Sequence, residues 1–176
     1  MSALRDYLKE KAAILQDRKT KIVGGELGTK QLNAQVSVEG RSGIRRVRIR
    51  DFQIVTDAPK DFAGYNLGPS APELLLGSLG SCLVHTLMIQ AAWLDIAIDA
   101  AEVIVTGDFS GRTGHPAFPE FSAGIPNIRY RLQVDSTGTD DQLTKLHKAV
   151  EQFCPILNVL HQPQPIQGNV ERVSAT

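Results

Sequence analysis

The chain contains two cysteines, Cys82 and Cys154, and they are its best candidates for chemistry. They lie 72 positions apart. Two cysteines are too few for the disulfide framework of a small secreted domain, and free cysteines in a reducing compartment are commonly inert. A pair that meets in the fold can instead alternate between dithiol and disulfide, with one thiol attacking an oxidant and the other resolving the product. The surroundings of each cysteine therefore have to be considered in turn.

Cys82 lies within the longest apolar segment of the chain, residues 74–98. Ser70 and Pro72 precede this segment as a helix cap and an early helical proline. Because the segment is apolar nearly all round, it predicts a helix that is buried on every side at the centre of the fold. A cysteine in such a helix can also be a simple core residue, since free cysteine packs as a small hydrophobe.

Cys154 has a different setting, because Pro155 follows it directly. The apolar residues after Pro155 predict a short helix that begins there. Backbone N–H groups at the start of a helix favour a thiolate. A Cys-Pro step at a helix start is a recurring redox geometry, although it is a weak signal alone.

The elements that would position these thiols follow from the apolar periodicity. Residues 2–20 predict a helix capped by Ser2, and a glycine-rich linker follows it, so the chain divides into an N-terminal arm (1–28) and a main domain (29–176). We expect the arm to pack on a neighbour. In the main domain, strands before and after the central helix and an amphipathic helix before Cys154 indicate an α+β fold. The strands are expected near residues 32–38, 47–49, 52–55, 101–109, 127–134 and 166–173, and the amphipathic helix spans 139–153.

Composition restricts the classes of function. Lys plus Arg and Asp plus Glu both total 19, so the charge balance favours neither nucleic acid nor an anionic membrane as a partner. We find neither an 18-residue apolar stretch nor a signal peptide, which predicts a cytoplasmic protein. The four histidines lack metal-ligand spacing with the cysteines, and there is no nucleotide-binding glycine fingerprint, so we expect no metal and no cofactor.

Two segments together resemble the OsmC-like proteins, which include the organic hydroperoxide resistance proteins. They are Ser70-Ala-Pro-Glu-Leu-Leu-Leu-Gly-Ser-Leu-Gly-Ser-Cys82 and Cys154-Pro-Ile-Leu-Asn-Val-Leu. The order of elements is also similar, and the resemblance covers residues 31–173. It implies an OsmC-like fold, in which antiparallel sheets enclose a buried central helix in an intertwined homodimer.

The resemblance also implies an activity, that of a thiol peroxidase acting on organic hydroperoxides or hydrogen peroxide in a stress response. Cys82 would attack the peroxide and Cys154 would close a redox-active disulfide, which a dithiol reductant, lipoyl-type or other, would open again. Two alternatives remain at this point. One is a non-catalytic OsmC-like binding or redox-sensing dimer, and the other is a structural dimer in which both cysteines are core residues.

A buried thiol needs a cation nearby to ionise, and the resemblance supplies one as an arginine held by a glutamate. Carried over, these residues are Arg41 and Glu73, with Arg45 and Arg46 as competitors for the arginine. Glu73 and Cys82 are nine residues apart where the best-characterised peroxidases have ten, which places the two side chains on opposite faces of an uninterrupted helix. Either the helix starts late, which would leave Glu73 in the loop before it, or the arginine and the glutamate do not pair in the way that is usual for the family.

One further side chain could act on the thiol. His85 follows Cys82 by less than one helical turn and could activate it. A histidine buried and satisfied in the core is the alternative that we favour.

Overall fold

The structure, a computed structural model, describes residues 2–121, 123–162 and 164–172. The chain forms helices and antiparallel strands in the order expected of an α+β fold. The elements are α1 (Ala3–Val23), β1 (Gln35–Val38), β2 (Arg45–Ile49), β3 (Phe52–Thr56), a 3-10 turn (Lys60–Phe62), α2 (Ala71–Leu94), β4 (Ile98–Thr106), β5 (Arg129–Ser136), α3 (Asp140–Phe153) and α4 (Pro155–His161).

Helix α2 is the centre of the fold, and its ends are set by local sequence. Ser70 and Glu73 form a reciprocal capping box at its start, where Pro72 also stands, and Asp95 ends it in the left-handed conformation. The helix packs against α1, α3, α4 and β4. Its inward residues form the middle of the core and are Leu79, Leu83, Leu87 and Ala91.

The prediction that this helix is buried on every side is wrong for the single chain. Ser81 and His85 are exposed, and Trp93 keeps 42% of its surface accessible. By length and composition α2 would also be long enough and apolar enough to cross a membrane, contrary to the sequence-based expectation. Because α2 packs against four other elements of the chain, it is a core helix, and one of its faces is left uncovered.

The strands form two separate antiparallel sheets. β4 pairs with β5, and the inward residues of this two-stranded sheet pack on the core. β1, β2 and β3 form a meander. Among the described elements, these three strands make extensive contacts only with one another. Apolar side chains therefore stay exposed on this three-stranded sheet, including Val36, Val38, Phe52 and Val55.

Two terminal expectations need correction. The N-terminal helix was expected to pack on a neighbour, but α1 packs on α2 and β4 of its own chain. Arg5 forms an ion pair with Asp99, and Leu8 joins the main core with 5% exposure. At the other end, residues 166–172 form no strand, and Val173 lies outside the described residues. The division of the chain at residue 28 stays a prediction.

Because Leu8 is the buried anchor of α1, we expect Leu8→Ala to lower the free energy of unfolding by about 2–3 kcal/mol, as for other large-to-small core substitutions. Ile14→Ala is the matched control, since Ile14 lies on the same helix with 58% exposure, and it should cost less than about 0.5 kcal/mol. Denaturant unfolding of both variants measures the difference. Equal losses would mean that α1 is not anchored through Leu8.

Candidate thiol site

The two cysteines meet where α2 packs against the start of α4. Cys82 projects from the middle of α2 and is partly buried, whereas Cys154 is the N-cap of α4 and is 0% exposed. Both are free thiols, and the Cys82 side chain interacts directly with that of Cys154. Two residues that are 72 positions apart in sequence are thus neighbours in the fold.

The environment of Cys154 opposes its ionisation. Burial is the main cause and raises the pKa of the Cys154 thiol, and the adjacent Cys82 thiol raises it further. The backbone N–H of Leu157 and the Thr86 side chain act in the opposite direction through hydrogen bonding. The pKa stays above its ordinary value, so Cys154 is a protonated thiol at neutral pH. Cys82 is the thiol that an external reagent can reach.

Local sequence explains how Cys154 comes to stand between two helices. Pro155 lacks an N–H and cannot continue α3, so the chain turns and restarts as α4. The Asn158 side-chain amide donates to the Cys154 carbonyl oxygen at 2.8 Å and also reaches the carbonyls of Gln152 and Glu151. It thereby satisfies the open end of α3. Sequence reasoning missed this role, although asparagine near a helix junction is a usable signal.

Glu73 is the third residue of α2, so the helix does not start late. Its carboxylate accepts hydrogen bonds from the Ser70 hydroxyl and backbone N–H, each at 2.7 Å. These bonds hold the pKa of Glu73 below its ordinary value. Nine residues of helix put Glu73 about 13 Å along the axis from Cys82 and on the opposite face. The structure therefore does not bring Glu73 and Cys82 together within one chain.

The three candidate arginines differ in what they contact. Arg45 donates to the carbonyls of Gly43 and Asp57, and Arg46 forms an ion pair with Glu39 at 3.0 Å. Arg41 is exposed in the turn between β1 and β2, and within the described part of the chain it has no hydrogen bond or ion pair. The expected clamp between Arg41 and Glu73 is not formed in the single chain.

A cavity of about 490 Å³ opens at the start of α2, and sequence reasoning did not identify it. Glu73 and Arg45 lie in its wall with mostly apolar neighbours, and neither cysteine lines it. Asp57 in the same wall is 1% exposed, and its carboxylate accepts from the N–H groups of Ala58, Tyr65 and Leu67. These bonds lower the pKa of Asp57, led by the one from Ala58. Asp57 thus organises the loop between β3 and α2.

His85 does not have the environment that the sequence predicts. The residue is exposed, so the favoured interpretation of a buried core histidine is wrong. His147 instead lies near the thiol site, where its Nε2 atom is 2.8 Å from the Tyr130 hydroxyl. Tyr130 also donates to Glu151, and burial together with Glu151 and Cys154 raises the pKa of Tyr130. Across the described residues, no group of His, Cys, Asp and Glu side chains could hold a metal ion.

Comparison with known proteins fits this geometry. The family model of the OsmC-like proteins matches residues 64–168, which is more than half of the chain and includes both cysteines. The chain belongs to the OsmC-like protein family. A comparison with functionally curated proteins gave no significant match.

Solved structures agree on the fold of this OsmC-like chain. An OsmC-like protein from Mycoplasma pneumoniae superposes with a TM-score of 0.65 at 23% identity, covering 77% of this chain and 91% of that one. A putative organic hydroperoxide resistance protein from Vibrio cholerae, with captopril bound in one of its active sites, gives 0.55 at 18% identity, covering 78% and 88%. The organic hydroperoxide resistance protein OsmC from Legionella pneumophila gives 0.55 at 15%, covering 76% and 91%. At these identities the likeness establishes the fold alone.

Proposed function

We propose that this OsmC-like protein is a thiol-dependent peroxidase in which Cys82 reacts with a hydroperoxide and Cys154 resolves the product. The observation that carries the proposal is the contact between the two thiols, one accessible and one fully buried. Family membership and the names of the Vibrio and Legionella relatives point to the same peroxide-related role in stress.

The reaction divides into two balanced steps. In the first, the Cys82 thiolate attacks one peroxide oxygen, so that an S–O bond forms, the O–O bond breaks and the alcohol leaves after taking up a proton. In the second, the Cys154 thiolate attacks the Cys82 sulfur, the S–S bond forms and hydroxide leaves as water. Two electrons pass from the thiols to the peroxide, and a dithiol reductant restores them by thiol–disulfide exchange. Such a cycle suits a reducing compartment such as the cytoplasm.

The working unit in this proposal is a homodimer. The uncovered face of α2 and the apolar side chains of the β1–β3 sheet are surfaces that a second copy would bury. Val36 and Val38 at one edge of this sheet and Phe52 and Val55 on its third strand stay exposed in the single chain. The fold therefore has surfaces that suit an intertwined pair better than an isolated chain.

The test is hydroperoxide consumption with a dithiol reductant, for hydrogen peroxide and for several organic hydroperoxides, followed by peptide mapping. We expect catalytic consumption and, after one equivalent of peroxide without reductant, an intramolecular Cys82–Cys154 disulfide. Mass spectrometry of the cross-linked peptides measures it. If peroxide yields sulfinic or sulfonic acid at Cys82 while Cys154 stays reduced, the resolving role is wrong. If no hydroperoxide is consumed, the binding or sensing alternative replaces the enzyme.

A further inference from the structure

The first step of the proposed reaction needs a proton donor. When the O–O bond of an alkyl hydroperoxide breaks, the departing oxygen is that of an alkoxide, which is too basic to leave readily without a proton. An acid positioned at such an oxygen commonly speeds the step by about 10²–10⁴-fold. The contact between the two thiols does not supply this acid at the departing oxygen.

The surroundings of Cys82 leave one side of its thiol open. Successive residues of a helix are rotated by about 100°, so Leu79 and Leu83 lie to one side of Cys82, and Ser81 and His85 lie to the other. Leu79 is 1% exposed and Leu83 is 0% exposed. Ser81 and His85 are both exposed, and Cys82 between the two sides is partly buried. A hydroperoxide therefore reaches the Cys82 sulfur from the side on which His85 stands.

We propose that His85 is the catalytic acid of the peroxide step, and that its protonated imidazole delivers a proton to the departing oxygen. The proposal rests on the proposed function, because it requires a hydroperoxide at Cys82. The electron pair of the Cys82 thiolate forms the S–O bond, the O–O bond breaks, and the imidazolium proton passes to the departing oxygen. The products are the sulfenic acid, the alcohol and neutral His85. Solvent then returns to His85 the proton that the Cys82 thiol released when it ionised.

The direction of attack places the departing oxygen on the side of His85. A thiolate approaches a peroxide oxygen opposite the bond that breaks, so the departing oxygen lies beyond the attacked one, away from the buried side of Cys82. Side chains three positions apart on a helix are neighbours, with Cβ atoms about 5–6 Å apart. Among the described residues His85 has no hydrogen-bond or ion-pair partner, so its ring is available to a substrate.

Other groups near Cys82 are less suited to this role. The Ser78 hydroxyl already donates to the Leu74 carbonyl oxygen at 2.8 Å. Cys154 is fully buried, so it does not face the open side. An arginine can stabilise the thiolate by its charge, but a guanidinium does not release its proton in proteins. Histidine is the residue type that gives and regains a proton most readily near neutral pH.

A homodimer is compatible with this role. A second copy would cover part of the uncovered face of α2, but a hydroperoxide still has to reach Cys82 from solvent. The opening that admits it includes the side of α2 on which His85 is exposed. A partner that excludes water from this opening would make a positioned acid more important, because less water is then available as a proton donor.

The test compares two oxidants that differ in their need for a proton. His85→Gln keeps a polar side chain and removes the transferable proton. In a single turnover with cumene hydroperoxide, we expect sulfenate formation at Cys82 to slow by about tenfold or more. With peracetic acid we expect a change of less than about twofold, because acetate leaves as a stable anion without a proton. Ser81→Ala is the matched control at an exposed position of the same helix, and both of its rates should stay close to wild type.

The outcomes separate this role from the proposed function. If His85→Gln reacts with cumene hydroperoxide as fast as the wild type, His85 is not the acid. If both oxidants and the alkylation of Cys82 by iodoacetamide slow by the same factor, His85 affects the thiolate or the fold, and the acid role is again wrong. Either result leaves the proposed function intact. A wild type that forms sulfenate with peracetic acid but with no hydroperoxide contradicts the proposed function and the role of His85 together.

Discussion

Cys154→Ser should consume one equivalent of hydroperoxide per chain and then stop, with steady-state turnover reduced by about a hundredfold or more. The reason is that the Cys82 sulfenate forms without help from Cys154 but cannot become a disulfide with a partner that is no longer a thiol. Excess peroxide should drive Cys82 on to sulfinic acid. Mass spectrometry after titration with increasing peroxide measures both stages.

Cys82→Ser is the matched variant, and it should remove the first equivalent as well, leaving only the background reaction. Cys154 is fully buried and Cys82 is partly exposed, so serine is more costly to stability at Cys154, and denaturant unfolding must first show that both variants are folded. Full turnover by Cys154→Ser with a dithiol would mean that the reductant attacks the sulfenate directly, and Cys154 would then have no resolving role. Consumption by Cys82→Ser would place the reactive thiol elsewhere.

The helices around the thiols were predictable because their signals are local. Ser70 and Pro72 start α2 as expected, and Pro155 starts α4 directly after Cys154. The α+β class also followed from apolar periodicity, since periods of 3.6 and 2 separate helices from strands. Each of these features depends on residues within a few positions of one another.

The features that sequence reasoning missed depend on long-range packing. The period of α1 indicates a helix with an apolar side, but it does not say which surface that side covers, and the structure places Leu8 on its own α2. The nearly all-round apolar pattern of α2 was interpreted as complete burial within the fold, whereas one chain leaves a face uncovered. The apolar pattern shows how much of the surface of α2 is suited to burial, and a single chain buries only part of that surface.

The single chain does not identify the cation that would activate the Cys82 thiol. Arg45 and Arg46 are occupied by bonds to their own sheet and its loops, while the exposed Arg41 has no partner among the described residues. Its turn lies on a sheet whose strands, among the described elements, make their extensive contacts only with one another. We therefore propose that Arg41 acts on Cys82 of the second protomer, with Glu73 as the carboxylate that orients it.

We expect Arg41→Met to slow the alkylation of Cys82 at pH 7 by about tenfold or more, because a nearby positive charge favours the thiolate. Arg48→Met is the matched control, since Arg48 is an exposed arginine of the same sheet, and its effect should be small. Alkylation rates followed by mass spectrometry measure both. An unchanged rate for Arg41→Met would show that another group activates the thiol.

Mixed dimers decide whether the arginine acts across the interface. A Cys82→Ser chain supplies Arg41, an Arg41→Met chain supplies Cys82, and each variant alone should be nearly inactive. Random pairing makes half of the dimers mixed, and each mixed dimer has one complete site if Arg41 acts in trans, so peroxidase activity should recover to about a quarter of wild type. If both residues act within one chain, no activity returns. Sedimentation must first show the dimer at micromolar concentration, and a stable monomer there would contradict both the dimer and the action of Arg41 across its interface.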